Sequence, residues 1–147
     1  MKAVVTRVQQ ASVEIEGKVC GAIGQGFLVL LGVGPDDDEA SCDRLAEKVA
    51  HVRVFSDEAG KMNLSIDQVG GAFLVISPFT LYADLKKRRP GFSHAAKPEI
   101  AAPLYERFME DLRQKGFAVE HGEFGADMKV ASVNDGPVTL LFDTDCL

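Results

Sequence analysis

Phe27-Leu28-Val29-Leu30-Leu31-Gly32-Val33 is a run without one polar side chain, entered through Gly24-Gln25-Gly26 and left through Gly34-Pro35. It is too short for a helix of ordinary length, and Val, Leu and Phe between glycines suit a strand buried on both faces. The run is therefore expected at the centre of the core. On its N-terminal side Val4, Thr6 and Val8 alternate with Val5, Arg7 and Gln9, and Val13 and Ile15 alternate with Glu14 and Glu16. A turn at Glu16-Gly17-Lys18 sends Val19–Ile23 back as the second arm of a hairpin.

On the other side, Asp36, Asp37, Asp38 and Glu39 suit a helix start, as N-cap candidates and through the helix dipole. Cys42, Leu45, Val49 and Val52 then recur at helical spacing, so an amphipathic helix is expected to about His51, whose place at its end favours capping over catalysis. Three adjacent aspartates do not converge on a metal without a loop built for it. A short strand at Val52–Phe55, a turn at Ser56–Gly60 and a weakly alternating Lys61–Ile66 lead to Gly70-Gly71 and the strand Ala72–Ile76. Asp84 to Lys97 lacks periodicity and reads as a surface loop. Pro98 suits the first position of a second helix, with Ile100, Leu104, Phe108 and Leu112 on its buried face and Gly116 at its end. Strands are expected again at Phe117–Glu120, Met128–Val133 and Val138–Phe142.

This order suits an α/β chain with two stacked sheet layers and two helices over one of them. One domain spanning 1–147 is expected from the 147 residues and their 46% apolar content. No run has the length of a membrane span, and Met1-Lys2-Ala3-Val4-Val5 alternates like a strand instead of forming a signal peptide's apolar core, so the cytoplasm is the expected compartment. Cys20, Cys42 and Cys146 are odd in number and have no histidines at metal spacing, so they are read as free thiols. A net charge of -6 argues against indiscriminate nucleic-acid binding, DNA included. Lys86-Lys87-Arg88-Arg89 nevertheless places a quarter of the basic residues side by side. That run is either a solvated loop or a patch that docks one end of an RNA.

Two short segments carry the chemistry. Ser77-Pro78-Phe79-Thr80-Leu81 leaves the end of the Ala72–Ile76 strand, a common position for catalytic backbone N–H groups and hydroxyls. Asn134-Asp135-Gly136-Pro137-Val138-Thr139 is a turn between two apolar runs, in which a Gly-Pro pair makes either an ordinary tight turn or a rigid prong. Together with Phe124-Gly125-Ala126-Asp127-Met128 between them, these segments closely resemble the D-aminoacyl-tRNA deacylase family, over Met1 to about Asp143. One position departs from the family pattern: Pro78 stands where Gln is usual in the Ser-x-Phe-Thr segment.

The resemblance implies a three-layer β/β/α sandwich, a homodimer, and hydrolysis of the ester between a D-amino acid and the acceptor end of tRNA, with no cofactor and no metal. It also gives Gly136-Pro137 a task. In the family this pair is cis and reaches into the partner subunit's pocket, where it collides with an L side chain. Asn134 and Thr139 shape the turn, Arg7 is a candidate brace, and Met128 is a pocket wall or a plain core methionine. The sequence has no Gly-x-Ser-x-Gly elbow, no visible Cys-His pair and no His-x-x-x-His, and His94 and His121 read as surface residues. An already activated ester can still be cleaved by orientation and an oxyanion hole, with the neighbouring ribose hydroxyl helping to activate water. The expected donors are the Phe79 and Thr80 N–H groups, and the Ser77 and Thr80 hydroxyls are candidates for positioning substrate or water. Two other readings stay open: a catalytically weakened dimer that binds tRNA ends, and an ester hydrolase using Ser77 or Thr80 covalently.

Overall fold

The computed structural model describes residues 1–147. In chain order it forms β1 (Lys2–Ile15), β2 (Lys18–Ile23), β3 (Gly26–Gly32), α1 (Glu39–His51), β4 (Phe55–Ser56), β5 (Met62–Leu64), β6 (Ala72–Ile76), α2 (Pro98–Gln114), β7 (Val119–His121) and β8 (Lys129–Asp143). Short 3-10 turns lie at Ile66–Val69, Phe79–Tyr82 and Thr144–Cys146.

The apolar run is β3, and it is central as its composition demands. It pairs antiparallel with β1, from Lys2 opposite Gly32 to Val8 opposite Gly26, and parallel with β6, from Gly26 opposite Ala72 to Leu30 opposite Ile76. β7 adds parallel to β6. Phe27, Val29 and Leu31 point to one face and are fully buried there with Phe73 and Val75. Leu28 and Leu30 point to the other, into a second core with Leu74 and Ile76.

The helices cover the first face. α1 buries Cys42, Leu45, Ala46, Val49 and Ala50, and α2 buries Ala101, Leu104, Tyr105, Phe108, Met109 and Leu112. Asp38 caps α1 by accepting the Ser41 N–H at 2.9 Å. Arg107 ties the helices together with a two-pronged bond to Asp43 at 2.7 and 2.9 Å and a contact to Glu39 at 3.2 Å. His51 bonds the Glu47 carbonyl one turn back at 2.9 Å.

The second face is covered by the sheet itself. β1 pairs with β3 through its first half and with β2 through its second, while β8 follows its other edge throughout. Its register against β8 shifts between Thr6 and Val8 and again between Val8 and Gln10. Such bulges bend a strand and increase its twist. Accordingly Ala3 and Val5 belong to the core under the helices, whereas Val8, Ala11 and Val13 join Ile23 in the second core. One continuous sheet thus folds over to make two layers, and the helices make the third: the expected β/β/α sandwich.

Three sequence expectations change. Of the proposed strand Val52–Phe55, only Phe55 is in a strand, paired with Leu64 across a two-stranded ribbon. Ile100 is exposed and Ala101 takes its place inside, because the buried stripe includes Tyr105 and Met109 and is centred further round the helix. The two strands expected at Met128–Val133 and Val138–Phe142 are one, since both halves of β8 pair with the same long β1.

Gly26 is where two backbones come closest: a Cβ there would lie 1.8 Å from the Ala72 carbonyl oxygen and 2.7 Å from its nitrogen. Neither atom can yield without breaking the ladder that delivers Ser77. Gly26→Ala is therefore expected to cost about 3 kcal/mol, the upper end of overpacking penalties, measured by urea unfolding.

Candidate active site

β6 ends beside β3, and Ser77 continues the pairing with its side chain: its hydroxyl donates to the Leu31 carbonyl at 3.0 Å. Pro78 follows in extended conformation, and Phe79–Tyr82 makes a single 3-10 turn. Within that turn Leu81 N–H donates to the Pro78 carbonyl at 3.4 Å, and Ala83 N–H to the Thr80 carbonyl at 3.1 Å. A helical turn leaves its first N–H groups without internal partners. Here those belong to Phe79 and Thr80, both exposed, and they donate to no group of the chain.

The turn faces a cavity of about 570 Å³ whose wall includes Val33, Ser77, Phe79, Phe92, Phe124 and Gly125. Phe79 is 57% exposed and meets Phe92 edge to face at 5.0 Å. Phe124 approaches Tyr105 at 6.2 Å, and the Tyr105 hydroxyl donates to the Val75 carbonyl at 2.9 Å, which anchors that wall to β6. The cavity thus joins the Ser77–Leu81 segment to the start of the Phe124–Met128 segment. Met128 itself turns away: its sulfur occupies the space a Cβ on Gly122 would need, and it packs against the second core.

The Asn134–Thr139 segment is an excursion from β8. Thr6 pairs with Thr139 and Val8 with Asn134, so only Arg7 lies opposite Asp135, Gly136, Pro137 and Val138. Gly136 and Pro137, joined by a cis peptide bond, are exposed at its tip. Arg7 sits beneath, its side chain 11% exposed. Its Nε donates to the Asp135 carbonyl at 2.9 Å and lies 3.4 Å from the Asp135 carboxylate, while Nη1 donates to the Val54 carbonyl at 2.5 Å. Thr6 and Thr139 hydroxyls face each other at 3.4 Å, and Asn134 accepts from the Ser132 hydroxyl at 2.8 Å. None of Asn134 to Thr139 lines the cavity of its own chain.

Asp84 and Gly91 bond each other's backbone at 2.7 and 3.0 Å, so Lys86, Lys87, Arg88 and Arg89 form the exposed tip of a short arm. The arm begins just after the turn and returns to Phe92 at the cavity. His94 lies 3.7 Å from Asp84 at its base.

No activated nucleophile accompanies this arrangement. Neither the Ser77 nor the Thr80 hydroxyl is bonded to a histidine or a carboxylate. Cys42 is buried, donates to the Leu104 carbonyl at 3.3 Å, and is pushed up to about 12 by burial and then by Asp43. The site offers unpaired backbone donors at an apolar cavity. Among the cavity residues that sequence reading missed, Val33 and Phe92 carry no signal of their own: one ends an apolar strand and the other lies in a loop without periodicity.

Unpartnered main-chain N–H groups beside an apolar cavity, on a sheet folded over itself and backed by two helices, are parts from which a hydrolase site can be built. The model of the D-Tyr-tRNA(Tyr) deacylase family matches residues 4–143, and the chain belongs to that family. It is 58% identical over 146 residues to a D-aminoacyl-tRNA deacylase of Symbiobacterium thermophilum, covering 99% of this chain and 97% of that protein. A D-aminoacyl-tRNA deacylase of Roseiflexus castenholzii is 57% identical, with 98% and 92% covered. Among solved structures, one titled c-Myc DNA Unwinding Element Binding Protein superposes with a TM-score of 0.91 at 40% identity, covering 97% and 98% of the two chains. A probable eukaryotic D-amino acid tRNA deacylase, 17% identical, shares the fold with a TM-score of 0.82 over 96% and 97%.

Because the Ser77 hydroxyl is committed to Leu31, Ser77→Ala is expected to lower stability by about 1 kcal/mol. The double variant Ser77→Ala, Thr80→Ala is expected to retain measurable turnover of an aminoacyl ester. Loss of all turnover in the folded double variant would establish a covalent role for one of the hydroxyls.

Proposed function

We propose that this protein hydrolyses the ester of D-aminoacyl-tRNA to free D-amino acid and tRNA, rejecting L esters by shape. The observation that carries the reading is the pair of unpartnered N–H groups of Phe79 and Thr80, in the turn whose Phe79 lines the cavity. Donors set in advance where a carbonyl oxygen gains charge stabilise the transition state, and one such donor is worth ~10²–10³ in rate. The neighbouring ribose hydroxyl of the tRNA assists the attacking water, which is why no protein base is required. Thr80's free hydroxyl orients substrate or water, and Ser77 holds the turn on β3.

Chiral selection is assigned to Gly136-Pro137 of a second copy. The excursion is braced by Arg7 yet does not line its own cavity, which fits a prong that serves the partner's. β8 supports a homodimer: it pairs only with β1 and leaves its other edge open, with Val133 and Leu141 exposed along it. Asn134 and Thr139, each in register with β1, fix where the excursion leaves and rejoins the strand. Met128 belongs to this reading only as support for Gly122, since it does not reach the cavity within one chain.

The arm carrying Lys86, Lys87, Arg88 and Arg89 contacts phosphates of the acceptor end. The reading places the protein in the cytoplasm, where charged tRNA is, and in quality control of translation; no helix of the chain is long and apolar enough to cross a membrane. Pro78 favours a second reading, a binder of tRNA ends with weakened catalysis, since proline supplies neither an N–H nor the family's side-chain amide.

The deciding measurement is loss of D-tyrosine and L-tyrosine from otherwise identical charged tRNAs. Only the D ester is expected to be cleaved. A Cβ on Gly136 would fall 2.2 Å from Val138 N, so Gly136→Ala must reshape the prong and is expected to narrow the D over L preference. If neither ester is cleaved while tRNA still binds, the binder reading takes over.

Steric rejection cannot exclude an amino acid without a side chain. Glycyl-tRNA is accordingly expected to be cleaved at enzyme levels that clear the D ester, in the same release assay. Its survival there would show that something beyond rejection, a positive contact to the side chain, sets the scope.

A further inference from the structure

The Phe79–Tyr82 turn is weakly held by its own bonds. The residue capping its N-terminus, Pro78, lends only a carbonyl, and the bond closing onto that carbonyl is long, at 3.4 Å. The Ser77 hydroxyl fixes the side nearest β6. What fixes the far side is a contact at the end of β3. The Tyr82 ring lies on the main chain of Gly32 and Gly34: a Cβ on Gly34 would be 3.0 to 3.1 Å from three ring and hydroxyl atoms, and one on Gly32 would be 2.9 Å from Leu81 Cβ and 3.2 Å from Tyr82 Cδ2.

The platform under the ring is itself braced. Gly34 N–H donates to Asp37 Oδ2 at 2.7 Å, and the Tyr82 hydroxyl lies 3.5 Å from the same oxygen. Asp37 Oδ1 accepts from the Met1 ammonium at 2.6 Å, and the Lys2 ammonium stands 4.8 Å from the centre of the Tyr82 ring. Burial, then the charges of Asp37, Asp143 and Asp145, raise the Tyr82 hydroxyl above its ordinary range, so it stays protonated.

We propose that Tyr82 is a positioning residue for the ester hydrolysis, its ring seated on Gly32 and Gly34 and backed by Asp37 so that the Phe79 and Thr80 N–H groups keep one direction. The inference rests on the assignment of those two groups as the oxyanion donors. Tyr82 touches no substrate; it acts through the turn. Misplacing reacting groups by about 1 Å costs ~10²-fold in rate. Removing the ring is therefore felt chiefly in kcat, since Tyr82 does not line the cavity and, of its wall, only Ser77 and Phe79 come from this segment.

The test compares wild type, Tyr82→Ala and Tyr82→Phe on D-tyrosyl-tRNA, together with backbone amide order parameters of Phe79 and Thr80 by NMR. In Tyr82→Ala, kcat is expected to fall ~100-fold with KM within about twofold. The two order parameters are expected to drop from about 0.85, typical of rigid backbone, to below about 0.6. Tyr82→Phe keeps the ring on the glycines and is expected to restore both readings nearly to wild type. Unchanged kcat and unchanged order parameters in Tyr82→Ala would overturn the proposal, as would a Phe variant no better than Ala. Should Tyr82→Ala fail to fold, Tyr82→Leu takes its place, with apolar bulk but no flat ring and the same criteria. If wild type itself does not cleave the ester, the donor assignment fails on its own, and the order parameters still decide whether Tyr82 holds the turn.

Discussion

Arg7 lies where β1, one of the two long strands of the molecule, changes its allegiance. Up to that point β1 belongs to the core under the helices, and beyond it to the core between the sheet layers. A strand that serves two cores has to bend, and the bend leaves a gap in its pairing with β8. The Asn134–Thr139 excursion fills the gap, and the guanidinium fills the space under the excursion. The folding over of the sheet, the origin of the excursion and the use of an arginine inside a sheet are therefore one solution to one geometric problem. The same arginine also reaches the Val54 carbonyl, so the excursion is tied to the chain just after α1 as well as to the strand opposite.

How much of this was legible in the sequence depended on range. The β3 run announced itself because a strand buried on both faces needs no periodicity, only apolar residues of the right length. α1 was legible from its acids and its spacing, and the end of α2 from Gly116. What lay beyond local pattern was lost. Nothing in Gln9-Gln10 marks a bend, since the bend is imposed by what β1 pairs with on either side. Gly136-Pro137 read as a turn between two strands because the shared partner of both halves lies over a hundred residues away. Ile100 misled because it fits a helical stripe as well as Ala101 does, and only the neighbours of α2 choose between them.

The candidate site was legible in its backbone and illegible in its walls. Ser77 to Thr80 could be placed because a polar segment must leave a buried strand somewhere, and the resemblance gave it a role. Phe92, which forms an edge of the cavity, comes from a loop whose sequence has no pattern to read. Tyr82 was equally silent: its meaning depends on Gly32 and Gly34, fifty residues earlier, offering bare main chain for a ring to rest on. Donors that belong to the main chain are also absent from any inventory of reactive side chains. Such a site shows in sequence mainly through what must be small, what must be stiff and what must not compete for the donors.

The arm at Lys86–Arg89 projects from a body that is otherwise acidic, for the chain carries a net charge of -6 with those four cations included. The arm is thus a local concentration of positive charge on a net negative chain, and it stands beside the cavity. Under the proposed function, this charge pattern would repel a tRNA from most of the surface and attract it at the arm, selecting orientation before contact. Such steering weakens as salt shortens the Debye length, to about 8 Å at physiological ionic strength. On that reading, the acidity of the rest of the protein would serve recognition as much as the basic arm does.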